Sequence, residues 1–137
     1  MALLSTKGVY GLAAILQIAK ASEVATISIK EIAERTGVSK NYLEQILNTL
    51  RNEKLVCSIK GKNGGYHLAR DASEISFGEI FTALEKDLRM TSIQMSDPGL
   101  RALFEKFDVK LAEIFNEPLS SYEEMMARSV QYLNFSI

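Results

Sequence analysis

Two short helical patterns stand either side of Thr36-Gly37-Val38-Ser39, and that spacing admits few folds. Ser28 and Glu31 have the spacing of a capping box, in which the serine accepts from an amide three residues on and the glutamate reaches back. Ile29, Ile32 and Ala33 then supply a short apolar stripe, which Gly37 ends. Ser39 can cap a second helix whose apolar residues Tyr42, Leu43, Ile46, Leu47 and Leu50 keep helical period as far as about Glu53. Two helices so joined form a helix-turn-helix, with the second free to lay its outer face in a DNA groove. Residues 55–60 and 66–69 read as strands around the glycine-rich turn 61–65, a β-hairpin placed as a wing. Lys60, Lys62, Asn63 and Gly64 lie at its tip, where small residues let backbone approach phosphate and a narrow ribbon can enter the minor groove; the alternative is a solvated lysine-bearing turn.

The remaining chain extends this unit at both ends. Residues 8–21 form an amphipathic helix expected to pack by Val9, Leu12, Ala13, Leu16 and Ala19. Ser76 and Glu79 repeat the capping box ahead of Ile80, Phe81 and Leu84, predicting a helix that closes the winged unit. Residues 89–96 lack a period and read as a loop, with Met90 and Met95 as gap fillers. Asp97 and Pro98 are an N-cap and a first-turn proline for a long helix over 98–116. At 1.5 Å per residue it would reach roughly 28 Å. Its apolar residues Leu100, Leu103, Phe104, Phe107, Leu111 and Ile114 exceed what a small winged unit can cover, so they are expected to pair two subunits; the alternative reading is that the helix folds back on its own domain. A last helix starts at Ser120 or Ser121, with Met125, Met126, Val130 and Leu133 inward, and 134–137 form a tail. The predicted class is mainly α with a small β-hairpin wing: a winged helix-turn-helix over 1–86, then a loop, dimerisation helix and C-terminal helix over 87–137.

Charge and cysteine content narrow the function. The chain of 137 residues has a formal net charge of -1, but residues 1–70 hold ten Lys+Arg against five Asp+Glu, and residues 71–137 hold six against twelve. The basic half coincides with the winged unit, as a polyanion partner would require. No stretch approaches the roughly 18 apolar residues of a membrane span, so a cytoplasmic protein without membrane attachment is expected. Cys57 is the single cysteine and His67 the single histidine. Alone they make neither a structural zinc site nor a nucleophile–base pair, so no metal, cofactor or enzymatic activity is expected.

The motifs Leu4-Ser5-Thr6-Lys7-Gly8-Val9-Tyr10-Gly11-Leu12, Lys30-Glu31-Ile32-Ala33-Glu34-Arg35, Tyr42-Leu43-Glu44-Gln45-Ile46-Leu47 with Leu50-Arg51, and Gly61-Lys62-Asn63-Gly64-Gly65-Tyr66 occur in the order found in one family. The chain resembles the Rrf-two family of bacterial winged-helix regulators, whose members include IscR-, NsrR- and CymR-like branches. That resemblance implies a homodimer that binds operator DNA of approximate two-fold symmetry. It implies Ser39, Asn41, Tyr42, Glu44 and Gln45 in the major groove, Lys7 and Arg51 at phosphates, and 60–64 as the minor-groove wing. Chemistry agrees: Gln45 can pair with adenine, Glu44 can accept from cytosine, and Lys40 or Lys60 can displace counterions. Tyr42 has a second reading, as a ring that braces the helix against the turn.

Many family members carry three cysteines in the loop before the long helix, whereas residues 87–97 here have none. The chain is therefore similar to the CymR-like branch, which implies a repressor without an iron–sulfur cluster, acting on sulfur and cysteine metabolism through a complex with cysteine synthase. Phe135 and Ile137 are the tail residues that such a partner would capture, although an apolar tail more simply docks on its own subunit. Two other readings remain open: a winged module that binds protein by the same surfaces, and a redox- or metal-responsive regulator with non-cysteine ligands.

Overall fold

The structure is a computed structural model that describes residues 2–22 and 25–135, with side chains described as far as residue 129. Among the described residues it has six helices and one two-stranded antiparallel sheet in the order α1 (Thr6–Ser22), α2 (Ile29–Thr36), α3 (Lys40–Asn52), β1 (Val56–Ile59), β2 (Gly65–Leu68), α4 (Phe77–Glu85), α5 (Pro98–Phe115) and α6 (Ser121–Phe135). A short 3-10 turn over Ala72–Glu74 precedes α4. No helix is long and apolar enough to cross a membrane among the described residues.

Local chemistry sets most of these boundaries. Ser28 Oγ accepts from Glu31 N–H at 3.2 Å to start α2, and the Gly37 N–H closes it on Ala33 O at 2.9 Å. Ser39 Oγ accepts from Tyr42 N–H at 3.3 Å to start α3, so the connection between the two helices is three residues long. Ser76 and Glu79 form the full reciprocal capping box of α4. Asp97 accepts from Leu100 N–H at 2.7 Å, with Pro98 in the first turn of α5.

The core is built from Ile15 and Ile18 of α1, Ile32 of α2, Leu43, Ile46, Leu47 and Leu50 of α3, and Ile80 and Leu84 of α4. Ile27, Leu55, Val56 and Ile75 fill the spaces between helices. The expected packing face of α1 holds only in part: Leu12, Leu16 and Ala19 are half-buried and pack against the core, but the fully buried residues are Gly8, Gly11, Ala14, Ile15 and Ile18, and Val9 is 52% exposed. The true stripe is turned by one residue, about 100°. The cause is close approach by α4, whose Leu84 and Glu85 side chains occupy the space where Cβ atoms on Gly11 and Gly8 would lie.

The wing is joined to the helices by a third short strand segment. β1 pairs with β2 in the register Val56↔Leu68 to Ile59↔Gly65. Ile27 then pairs with Tyr66 through reciprocal backbone bonds of 3.1 and 2.8 Å. Gly65 permits that pairing, since a Cβ there would stand 2.5 Å from Ile27 O. Ser22 Oγ accepts from Leu68 N–H at 2.9 Å and donates to Ile18 O at 2.7 Å, tying β2 to the end of α1.

The C-terminal segment leaves the winged unit and returns to it. Beyond α5, Leu119 N–H donates to Ile75 O at 2.7 Å and its side chain, 2% exposed, joins the core. Phe115 meets Phe81 edge to face at 5.5 Å. The expectation that Met125 and Met126 point inward is overturned: they are 47% and 48% exposed, because every described side chain from Glu123 to Ser129 lies on a surface that no described residue covers. Met90, expected to fill a gap, is likewise 48% exposed. The side chains of Val130, Leu133 and Phe135, and Ile137 altogether, lie outside the described residues.

Candidate nucleic-acid interface

The outer face of α3 follows from its inner face. Leu43, Ile46, Leu47 and Leu50 are fully buried, which leaves Asn41, Glu44, Gln45 and Asn48 exposed on the opposite side at intervals of three and four. Lys40 is exposed at the first position of the helix, and Ser39 is engaged as its cap. This polar strip offers amide donors and acceptors together with one carboxylate, the groups that read base edges in a major groove.

Tyr42 does not belong to that strip. It is half-buried, packs on the core, and meets Tyr10 of α1 edge to face at 6.1 Å. The ring thus contacts α1 rather than the turn against which bracing was expected. Arg51 is fixed on the wing side of α3: Nη2 donates to Asn48 Oδ1 at 2.7 Å and Nη1 to Ser58 Oγ of β1 at 3.4 Å. Two side-chain hydrogen bonds thus hold an otherwise flexible guanidinium between the helix and the hairpin.

Two grooves flank α3. One is lined by Asn41, Glu44, Gln45, Asn48 and Arg51 with Ile29 and Tyr66, and runs between α3 and the wing strand. The other is lined by Lys7, Thr49, Glu53, Arg70, Glu79 and Lys86. Lys7 is thereby placed across α3 from Arg51, so the polar strip has a cation on each side. At the hairpin tip Lys60, Lys62 and Asn63 are exposed. The tip is anchored by Thr26, whose hydroxyl donates to Asn63 O at 3.1 Å. Gly64 acts through space rather than contact, because a Cβ there would collide with the carbonyls of Ile59 and Gly61.

Several contributors escaped the sequence reading. Asn48 was legible, since it continues the three-and-four spacing of Glu44 and Gln45. Thr26 was not, because nothing local links it to residue 63. Nor was Glu85, whose Oε1 accepts from Ser5 N–H at 3.0 Å, Ser5 Oγ at 2.6 Å and Gly8 N–H at 2.9 Å. Burial pushes this carboxyl up, but the hydrogen bonds from Ser5 and Gly8, with the nearby Lys7 charge, together hold it below its ordinary range.

The dimerisation residues are placed as follows. On α5 no residue is fully buried; Leu100 and Leu103 are each 45% exposed, Phe107 39% and Ile114 61%. Phe104 is half-buried against Phe107 at 5.5 Å, and Leu111 is half-buried beside Leu88 and Phe115. Cys57 and His67 are cross-strand neighbours on the wing, both half-buried.

Comparison with known proteins gives concordant results. A family model described as Rrf2, iron-dependent transcriptional regulator, matches residues 4–127. The HTH-type transcriptional regulator IscR of Escherichia coli is 41% identical over 91 residues, covering 66% of this chain and 56% of the relative. The chain thus spans little more than half the length of the curated relatives it matches. The structure of CymR (YrzC), the global cysteine regulator of B. subtilis, superposes with a TM-score of 0.83 at 32% identity, covering 91% of this chain and 98% of the other. T. potens IscR superposes with a TM-score of 0.77 at 33% identity, covering 90% and 87%. The family's description names iron. The loop 87–97 contains no cysteine, the single thiol lies in β1, and among the described residues no three of His, Cys, Asp and Glu gather where they could hold a metal.

Proposed function

The chain belongs to the Rrf2 family of transcriptional regulators, and on that premise we propose that it is a dimeric regulator binding operator DNA through α3 and the wing. In this reading Asn41, Glu44 and Gln45 meet base edges, Ser39 and Lys40 lie at the groove entrance, Lys7 and Arg51 hold phosphates, and Lys60, Lys62 and Asn63 enter the minor groove. The observation that carries it is the uncharged and acidic strip on α3 flanked by Lys7 on one side and by Arg51 and the wing on the other. The partly exposed apolar residues of α5 support the dimer, since a monomer would leave this whole helix face in water.

The finer reading is a repressor that works without an iron–sulfur cluster and acts on cysteine and sulfur metabolism. It is supported by the cysteine-free loop 87–97 and by likeness to CymR over nearly that protein's full length. A cysteine synthase is the partner this reading names, and calorimetric titration with the host's synthase tests it. The test of DNA binding is a salt titration on genomic fragments. Neutralising several phosphates gives a steep fall of affinity with salt, and a flat response would overturn the reading.

A further inference from the structure

We infer that Glu85 is a positioning residue for DNA binding: from the end of α4 its carboxylate fixes the first turn of α1 and so sets Lys7 at the phosphate backbone. The inference rests on the DNA reading above and goes beyond it, because Glu85 itself touches no base or phosphate in that reading. Every helix begins with amides that lack an intrahelical acceptor, and α1 has no acidic residue in its own first turn to meet them. Glu85 supplies the acceptor from 77 and 80 residues away, taking the Ser5 N–H, the Ser5 hydroxyl and the Gly8 N–H on one oxygen. Lys7 lies between these two anchored residues, so the rotation of its Cα is held from both sides.

The site is shaped for this contact. A Cβ on residue 8 would stand 2.5 Å from Glu85 Oε1, so glycine there is what admits the carboxylate. Glu85 is also the last residue of α4. Lys86 follows at φ 71, its N–H closing on Thr82 O at 3.0 Å, and the chain then enters the loop that leads to α5. Lys86 lines the same groove as Lys7. The junction between the C-terminal half and the winged unit is therefore bonded directly to the turn that carries a phosphate-facing lysine, and a shift of that junction moves both cations.

Charge alone and positioning make opposite predictions. A carboxylate near DNA repels phosphate, so by charge alone Glu85→Ala should tighten binding and steepen its salt dependence. Positioning predicts that Glu85→Ala weakens binding about three- to tenfold and lowers the salt slope by about one, as Lys7→Ala does. It further predicts that the double variant is no worse than Lys7→Ala, since the lost contact is the same one. Glu85→Gln, which keeps an acceptor oxygen without the charge, should fall between, and it carries the comparison if the alanine variant fails to fold. Affinity and salt slope are measured for the wild type and each variant on one genomic fragment. If the wild type binds and Lys7→Ala lowers the slope, while the Glu85 variants bind as tightly as wild type or add fully to Lys7→Ala, the inference is overturned. Absence of salt-dependent binding by the wild type would instead remove the DNA reading beneath it.

Discussion

The Tyr42 ring on α3 meets Tyr10 on α1 edge to face, 6.1 Å between centroids and at 74°. That contact ties α3 to α1, the helix that carries Lys7. Tyr42→Phe should leave both thermal stability and DNA affinity close to wild type, because the ring and not the hydroxyl makes the contact. Tyr42→Ala should cost about 2 kcal/mol of stability. Denaturant unfolding separates the two outcomes, and a Phe variant that loses specific binding would return the hydroxyl to base recognition.

Base-reading and phosphate-holding residues should be separable. Gln45→Ala is expected to cost ~1 to 3 kcal/mol on the cognate operator and little on random DNA. Lys60→Ala or Lys62→Ala should weaken all sequences alike and reduce the salt slope by about one. Competition binding with cognate and scrambled duplexes checks both. Equal loss on both duplexes for Gln45→Ala would remove it from base readout.

Glutamates in place of Leu103 and Phe107 should yield monomers, since a charge at the centre of an apolar interface is left without solvent or partner. Operator affinity should fall with dimerisation, as each half-site would then be bound separately. Sedimentation velocity gives the mass; a variant that remains dimeric would place the subunit contact elsewhere.

Gly11→Ala tests the close approach of α1 and α4. Alanine gains up to about 1 kcal/mol in helix propensity, but its methyl would overlap Leu84, and overpacking costs about 1 to 3 kcal/mol. The net result should be a lowered melting temperature, partly restored by Leu84→Ala in the same chain. A more stable Gly11→Ala protein would show that the helices can separate without cost.

Acid should weaken the fold partly through Glu85. Its folded pKa lies below the ordinary 4.5, so its contribution is full above that unfolded value and is lost as pH falls through the folded one. Asp71 and Asp87 shift in the same direction through hydrogen bonds from Ser73 and Arg89, so acid sensitivity as such does not identify Glu85. The difference between wild type and Glu85→Gln does: it should be about 1 kcal/mol at neutral pH and vanish once the carboxyl is protonated. Urea unfolding across that range measures it, and a constant difference would assign the effect to shape.

What was legible in the chain was what is decided within a few residues. Ser28, Ser39, Ser76 and Asp97 all cap the helices that their spacing announced, because a cap needs only a side chain and an amide three residues on. The hairpin was visible for the same reason. The stripe of α1 was misread because apolar counting ranks Val9 and Leu12 above Gly8 and Gly11, whereas the helix turns to the glycines so that α4 can come close. Glu85 and Leu119 were invisible as partners of Ser5 and Ile75, since those pairings are set by the tertiary path of the chain.

Leu119 has a consequence for dissecting the protein. The helix α5 is not an appendix to a finished unit but an excursion pinned at both feet, leaving after α4 and returning to hydrogen-bond beside Ile75. A fragment ended at residue 86 would carry an uncorked core, and it should misfold or aggregate where a fragment reaching past 119 would not. Chimaeras that exchange C-terminal halves between relatives at the same junction would import one core residue from the donor. Their success should therefore depend on how well the donor's side chain at that place fits the recipient's interior.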